Sequence, residues 1–524
     1  MLSMNKILRF LKNSWPIIIF LIISLILLIN HEPHRNEAQS WLIARDSPDL
    51  ISMFKLAGYE GTPMLWHLML RILIFFGLPY LSMLILHFLI SFSSVLLFYY
   101  FSPFNKLTRT LFIFGYFMIY EYNIIARNYA ISVLFIFLMA VIYKDRFNKK
   151  YIYVILLGFL ANTNIHSLIV ALVLATIFFY EYLFIFGEKN KRHSILIFVI
   201  SIILIVLLPI LQLLPPKDLQ LSSTLWNLSL TKEHLKTLSF PLVDAFISIP
   251  EIKITFWNSR IIDYPIYVAI LIFFVSIIVL TRKIMPLITY LLSLLGLFSF
   301  FFLKGTGGMR HHGFIFIIWI FSLWIHHNYP QNLSLFKNNR FYNSLFNCSK
   351  FFLILVLISH IVAGLIAGFY EINYNFSNSK DAALFLKNIY NDGVFAAYDP
   401  EVTMSILPYL GSNSSFFCFE KGYCSYIIWN TERDKFVGTH NVTYFFSILD
   451  QGMKLFQSGD INKKHYIILA LTNEDSVLAL TVFKDKLMMN RYYFSTDAFK
   501  YSLIKYFFNN SISEENYFIY EKVE

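Results

Sequence analysis

A stretch of about 20 apolar residues has few ways to fold, because in lipid its backbone polar groups must be satisfied within the segment itself. This chain repeats such stretches at Trp15–Asn30, Tyr80–Ser102, Thr110–Tyr120, Tyr129–Tyr143, Tyr151–Asn162, Leu168–Phe186, Ser194–Leu214, Tyr264–Leu280, Pro286–Leu303, Gly313–Ile325 and Lys350–Tyr370. Several are shorter than the ~20 residues a crossing helix needs, so flanking aromatic and polar residues must complete them. Composition agrees: 57% of residues are hydrophobic and 14% charged, against about a quarter charged in soluble domains. The expected fold is a polytopic α-helical membrane protein with about eleven spans. The formal net charge of +11 sits mostly in short loops between apolar runs. That pattern suits orientation and anionic headgroups rather than nucleic acid. Lys6, Arg9 and Lys12 before the first run resemble a signal n-region without a small-residue cleavage site, hence an uncleaved anchor.

Orientation turns on Pro63–Gly77, which is about one span long but carries His67 and Arg71 at i and i+4 on one helical face. If it lies in the interface, the loops with Lys106 and Arg109, with Lys144, Arg146, Lys149 and Lys150, with Lys189, Lys191 and Arg192, with Arg282 and Lys283, and with Lys337 and Arg340 share the cytoplasmic side with the N-terminus. An interfacial amphipathic helix on the outer face is therefore expected. The outer loops are then 31–79, 121–128, 215–263 and 304–312, with a turn near Asn164–His166. They hold most of the polar groups near the membrane.

From Glu371 the chain changes character, with charges and Asn throughout. Helical patterns at Asp381–Tyr390, Thr403–Leu410 and Tyr444–Phe456 alternate with strand patterns at Gly393–Tyr398, Tyr426–Trp429 and His465–Leu471. This divides the chain into a membrane domain, 1–370, and a small extracytoplasmic α/β domain, 371–524. Cys418 and Cys424 suit a small disulfide in an oxidising compartment, with two free thiols as the alternative.

Ionisable residues at a membrane edge are costly to bury and mark functional sites by default. Directly outside the first run stands His31-Glu32-Pro33-His34-Arg35-Asn36-Glu37. Glu37 opens a helical pattern that Asn36 can cap, so its acid also suits the helix dipole. A partly desolvated carboxylate there suits general-base work on a hydroxyl or amine, with His34 as second candidate. Tyr59–His67 adds Glu60, a helix start at Thr62-Pro63, and Trp66 and His67 at headgroup depth, where a tryptophan alone would merely anchor. Arg127, between two apolar runs, can snorkel to headgroups or clamp a phosphate. In Lys304-Gly305-Thr306-Gly307-Gly308-Met309-Arg310-His311-His312-Gly313, free backbone N–H groups with Lys304, Arg310 and His311 can surround an anion. The segment lacks P-loop spacing, and adjacent histidines are not a metal signature. His166 joins the same face.

These residues resemble a family. An acid-bearing first outer loop, an interfacial helix starting Thr62-Pro63-Met64-Leu65-Trp66, the element Ala126-Arg127-Asn128-Tyr129-Ala130 and a many-span core resemble the GT-C glycosyltransferases. The likeness is to the branch of protein O-mannosyltransferases and lipid A aminoarabinose transferases, over roughly Trp15–Tyr370. It implies a donor sugar carried on polyprenyl phosphate, an extracytoplasmic glycan, lipid or protein acceptor, inversion at the anomeric carbon, and residence in a bacterial inner (plasma) membrane. The family's Asp-Glu pair falls on Asn36 and Glu37, so the first acid is an amide here. That leaves Glu37 alone, or Glu60 or His34 in its place, or an inactive chain. The resemblance implies Arg127 on the donor phosphate. By position, Arg310, His311 and Lys304 join it there. Tyr129, His67, His166 and Arg71 are expected to line the substrate. No cofactor beyond the lipid-linked donor is implied, and no His, Cys, Asp or Glu spacing supports a divalent metal. A transporter or flippase would share the many spans, yet the chain has no internal repeat and its ionisable groups gather at the outer edge. A non-catalytic envelope-assembly protein is the third reading, kept open by Asn36.

Overall fold

The computed structural model describes residues 4–186, 200–219 (202, 204 and 205 apart), 228–261, 266–329, 340–418 (399 apart), 422–433 (432 apart), 463–474 and 493–523 (497 and 498 apart). The expected helix Tyr444–Phe456, the basic loops at Lys189–Arg192 and Lys337, and part of the run Ser194–Leu214 lie outside the described residues. The chain opens with α1 (Met4–Asn30), α2 (Arg35–Asp46), α3 (Leu50–Tyr59), α4 (Leu65–Phe75), α5 (Ser82–Phe101), α6 (Lys106–Ile113), α7 (Tyr129–Ile142), α8 (Lys150–Ala161) and α9 (Ile165–Tyr180). The helices Ser239–Phe246, Ile266–Ile278, Ile284–Lys304, Met309–His326 and Arg340–Asn373 follow.

Among the described residues, four helices are long and apolar enough to cross a membrane: Ser82–Phe101, Ile165–Ile185, Ile284–Lys304 and Phe346–Asn373. Ser14–Asn30 and Arg35–Asp46 form a further pair, bent by 80°. Length and composition thus support four or five spans, where the run count suggests about eleven. The difference lies in runs that form shorter helices, such as Lys150–Ala161 and Ile266–Ile278. The expected span Thr110–Tyr120 is split: α6 stops at Ile113, and Phe117–Glu121 is a π-helical turn. Pro63–Gly77 forms the 11-residue α4. At 1.5 Å rise it reaches roughly half of the ~30 Å hydrocarbon core. It buries Trp66, His67 and Leu70 and exposes Ile72, Phe75 and Phe76, an apolar outer face suited to the membrane interface.

The Met309–His326 helix is central. Nearly all of its residues are buried, as expected of a helix that is apolar all round. It packs against Ser239–Phe246, Ile284–Lys304 and α7, so the polar residues of its first turn are carried into the interior.

The C-terminal part forms a seven-stranded mixed sheet of order β3-β2-β1-β4-β7-β6-β5, with β1 (Gly393–Tyr398), β2 (Phe416–Cys418), β3 (Gly422–Cys424), β4 (Lys464–Leu471), β5 (Tyr493–Thr496), β6 (Phe499–Phe507) and β7 (Asn516–Val523). β1 runs parallel to β2 and β4, and the other pairings are antiparallel. Gly393–Tyr398 and His465–Leu471 are strands as the pattern implies, whereas Tyr426–Trp429 is irregular chain. The two parts meet on α2. Its Ala38 and Leu42 enter the apolar core of the sheet domain, while Trp41 and Ala44 pack with Trp66, Leu70 and Tyr80. Cys418 and Cys424 are disulfide-bonded across the β2–β3 hairpin, with Cα atoms 5.7 Å apart. Replacing Cys418 by serine is expected to remove roughly 2 kcal/mol, the loop-closure term for so short a ring. The check is thermal melting of the oxidised full chain, where an unchanged midpoint would refute it.

Candidate active site

The site begins at the break between α1 and α2. Pro33 cannot extend α1, and Glu37 reaches back to accept the backbone N–H of His34 at 3.0 Å, which caps α2. The Glu37 carboxylate is fully buried. Its Oε2 also accepts from His34 Nδ1 at 2.7 Å and His31 Nε2 at 3.2 Å, and its Oε1 from the Ala126 backbone N–H at 2.6 Å. His31 in turn donates from Nδ1 to Glu371 at 2.8 Å, and Tyr120 donates to the other Glu371 oxygen at 2.6 Å. With a carboxylate at each nitrogen, His31 is an imidazolium. Burial alone would lower its pKa, but Glu37 and Glu371 outweigh burial and push it up to about 10. For Glu37, burial works upward, yet the charge of His31 and the imidazole hydrogen bonds hold its carboxyl well below the usual range. The Asn36 amide donates to His34 Nε2 at 3.1 Å. That fixes the His34 proton on Nδ1, and burial takes its pKa down to about 4.

Ala126 leads into Arg127, the first of two arginines on a second wall. Arg127 is half-buried, and its guanidinium makes no hydrogen bond or ion pair among the described residues, although Glu60 and Glu37 act on its charge at longer range. Burial and the nearby charge of Arg310 bring its pKa down to about 10. The Arg310 guanidinium likewise makes no hydrogen bond among the described residues, and its Nε is buried without a partner. Arg310 lies in the first turn of the buried helix, after a loop in which Gly307 has φ +71°. A Cβ at Gly307 would collide with His311 Nδ1, and that nitrogen accepts the Gly308 N–H at 2.9 Å. His311 stacks edge-on against Tyr129 and lies 4.9 Å, ring to ring, from His166. The Tyr129 hydroxyl meets His166 Nδ1 at 3.2 Å, and His166 Nε2 is buried without a partner. Glu121, facing both arginines, accepts from Tyr116 and Trp257 at 2.8 and 3.1 Å through one oxygen; its other oxygen is buried and unpartnered. Next to this wall, His312 is held between Asp244 at 3.0 Å and the Thr306 carbonyl at 2.9 Å.

The third wall is Glu60. One of its oxygens accepts from Gln39 at 3.0 Å and from the Trp429 indole N–H at 2.9 Å. Burial raises its pKa, opposed by those bonds and by the charge of Arg127. His67 is buried near Arg127 with both ring nitrogens unpartnered, and burial lowers its pKa to about 4.

The structure thus gathers Glu37, His34, Glu60, Arg127, Arg310, His311, Tyr129, His67 and His166 around one region. Lys304 is exposed at the end of its helix. Arg71 is committed elsewhere, donating to the carbonyls of Ala44 and Arg45 at 2.7 and 3.0 Å and so capping α2. Sequence reasoning missed Gln39, Glu371 and Trp429, and gave no role of their own to His31 and Glu121, which lie in outer loops it singled out. Glu371, an acid at the end of the last apolar run, carried the membrane-edge signal that could have found it. Among the described residues, no cluster of three or more His, Cys, Asp or Glu side chains has the geometry to hold a metal ion.

Fold and site together define a class: a helical membrane protein in which a C-terminal sheet domain closes over a buried cluster of carboxylates, imidazoles and guanidiniums. No protein-family model matches the chain, and no curated protein matches it in sequence. Among solved structures it is similar to the crystal structure of ArnT from Cupriavidus metallidurans bound to undecaprenyl phosphate, at 11% identity and a TM-score of 0.45, over 97% of this chain and 98% of that one.

Proposed function

We propose that the chain is a glycosyltransferase that moves a sugar from a polyprenyl-phosphate donor to an extracytoplasmic glycan, lipid or protein, inverting the anomeric centre. The observation that carries this reading is the pair Arg127 and Arg310, two guanidiniums brought together at low exposure without hydrogen-bonded or ion-paired counterions among the described residues. Glu121 faces both without pairing to either, and two like charges held so close are offset further when an anion binds between them. Guanidinium forks suit phosphate oxygens. An apolar cavity of about 440 Å³ is lined by Leu235, Leu238, Leu242, Phe273, Leu294 and Phe298. It shares the Ser239–Phe246 helix with Asp244, the partner of His312, and suits the isoprenoid tail of the donor. In this reading the N-terminus is cytoplasmic, the sheet domain extracytoplasmic and the membrane the bacterial plasma membrane. An acceptor hydroxyl or amine attacks the anomeric carbon as the bond to phosphate breaks. A carboxylate takes the acceptor's proton, and the arginines stabilise the charge growing on polyprenyl phosphate.

The test is the full chain in lipid nanodiscs with labelled polyprenyl-phosphate sugars, alongside mass analysis of envelope glycans and lipids with and without the gene. A sugar that disappears from one envelope component in the deletion supports the reading. An unchanged envelope, together with no binding of polyprenyl phosphate, would sink it.

A further inference from the structure

We infer that the C-terminal domain is a working part of the transfer site: Trp429, and Gln39 held by Ile427, orient Glu60 so that its second oxygen takes the acceptor's proton. This rests on the transferase reading above. Glu37 is poorly placed for that task, because it is wholly buried and four donors already fill its two oxygens. Glu60 is the opposite case. Gln39 and Trp429 both bind its Oε1, while Oε2 makes no hydrogen bond among the described residues and the side chain is half-buried. Two neutral donors fix the plane of the carboxylate and leave a set of lone pairs directed elsewhere.

The donors are themselves fixed. The Gln39 amide exchanges two hydrogen bonds with Ile427, giving its N–H to the carbonyl at 2.7 Å and accepting the backbone N–H at 3.0 Å. Four residues on, the Thr431 N–H is accepted by the Asp218 carbonyl at 2.8 Å. Asp218 also accepts the hydroxyl of Tyr59, the residue before Glu60, at 2.6 Å. The segment carrying Trp429 is therefore clamped from α2 on one side and from the Glu60 turn on the other. Arg433 covers a face of the indole at 4.3 Å and pairs with Glu401 at 3.2 Å, and Arg35 reaches the same Glu401 at 3.6 Å. The charges bearing on Glu60 are thus Arg127 from the donor wall, Glu401 with Arg433 and Arg35 from the domain junction, and Asp218 behind Tyr59. In the transfer step, the acceptor's proton passes to Glu60 Oε2 and its oxygen or nitrogen bonds the anomeric carbon. The electron pair of the breaking bond leaves with polyprenyl phosphate, and the neutral Glu60 later releases the proton to water. Glu60 is the catalytic residue; Trp429 and Gln39 are positioning residues.

Trp429→Phe tests this, because phenylalanine keeps a ring beneath Arg433 and removes only the N–H. An N–H donor favours the ionised carboxylate. Its loss is therefore expected to move the acid limb of the kcat/KM profile of the full chain upward by about one pH unit, with the alkaline plateau kept. Gln39→Leu, the second variant, is expected to move the limb the same way. Glu60→Gln is expected to lower kcat at every pH by at least about 10²-fold with polyprenyl phosphate binding retained. A limb that stays put while the plateau falls would show a merely structural tryptophan and overturn the inference, as would wild-type turnover in Glu60→Gln. Infrared titration of the carboxyl band lost in Glu60→Gln gives a readout independent of transfer. If that titration moves in Trp429→Phe while the wild type transfers no sugar, the coupling stands and the transferase reading fails. If the wild type transfers and the titration does not move, this inference alone fails.

Discussion

Arg127→Ala and Arg310→Ala are each expected to lower sugar transfer by about 10²–10³-fold, the usual cost of removing one preorganised group aimed at developing charge. The same substitutions are expected to leave membrane insertion intact and to raise the melting temperature slightly. Both directions follow from the geometry. The two guanidiniums repel each other, and burial together with Arg310 brings Arg127 down to about 10. Removing either charge relieves that repulsion while removing the site's function, the familiar opposition between stability and activity. Lysine should not restore either position, since a point charge cannot present the planar fork that phosphate oxygens meet. Steady-state rates with a labelled donor, paired with melting curves in the presence and absence of polyprenyl phosphate, separate the two effects. Polyprenyl phosphate should stabilise the wild type and stabilise neither variant to the same extent. Wild-type turnover in both variants would end the assignment of this wall to the donor.

What could be read from the sequence follows from where each signal resides. Apolar runs announce helices, but not whether a run crosses the membrane. Thr110–Tyr120 shows why: its break at Phe114–Tyr116 and the π-helical turn after it depend on packing against other helices rather than on composition. The strands at Gly393–Tyr398 and His465–Leu471 were legible because buried strands read as continuous apolar runs. β6 and β7 were not, since Lys500, Lys505, Glu521 and Lys522 interrupt the apolar pattern. Residues flanking the spans on the outer side were legible as a group, because ionisable side chains at a membrane edge stand out. Their partners were not. His31 and Glu371 are 340 positions apart, and no spacing rule links them. Arg71 shows the converse. It shares a helical face with His67, as its spacing implies, but the end of α2 lies within reach and takes its donors.

The second large effect is expected from Glu37→Gln, His31→Ala and Glu371→Gln. Each leaves a buried charge or donor without its partner, and such truncations cost about 3–5 kcal/mol. Glutamine at position 37 illustrates the reason. It turns one acceptor oxygen into an N–H₂ group facing donors from His31, His34 and Ala126. Because Ala126 precedes Arg127, the displaced backbone carries the guanidinium with it. Glu37→Gln is therefore expected to abolish transfer while the chain still inserts in the membrane. The pH dependence separates this role from general-base catalysis. His31 is raised from 6.5 to about 10, so its contribution is fully present below pH 6.5 and disappears as pH rises through about 10. Glu37 is depressed below 4.5, so its contribution is present above pH 4.5 and disappears as pH falls through its lower folded value. The melting temperature of the wild type should thus hold a plateau between these limits and fall on both sides. In His31→Ala the whole curve should drop and the alkaline fall attributable to His31 should vanish. An alkaline fall of unchanged size in His31→Ala would show that the imidazolium between Glu37 and Glu371 does not hold the first outer loop against the last membrane helix.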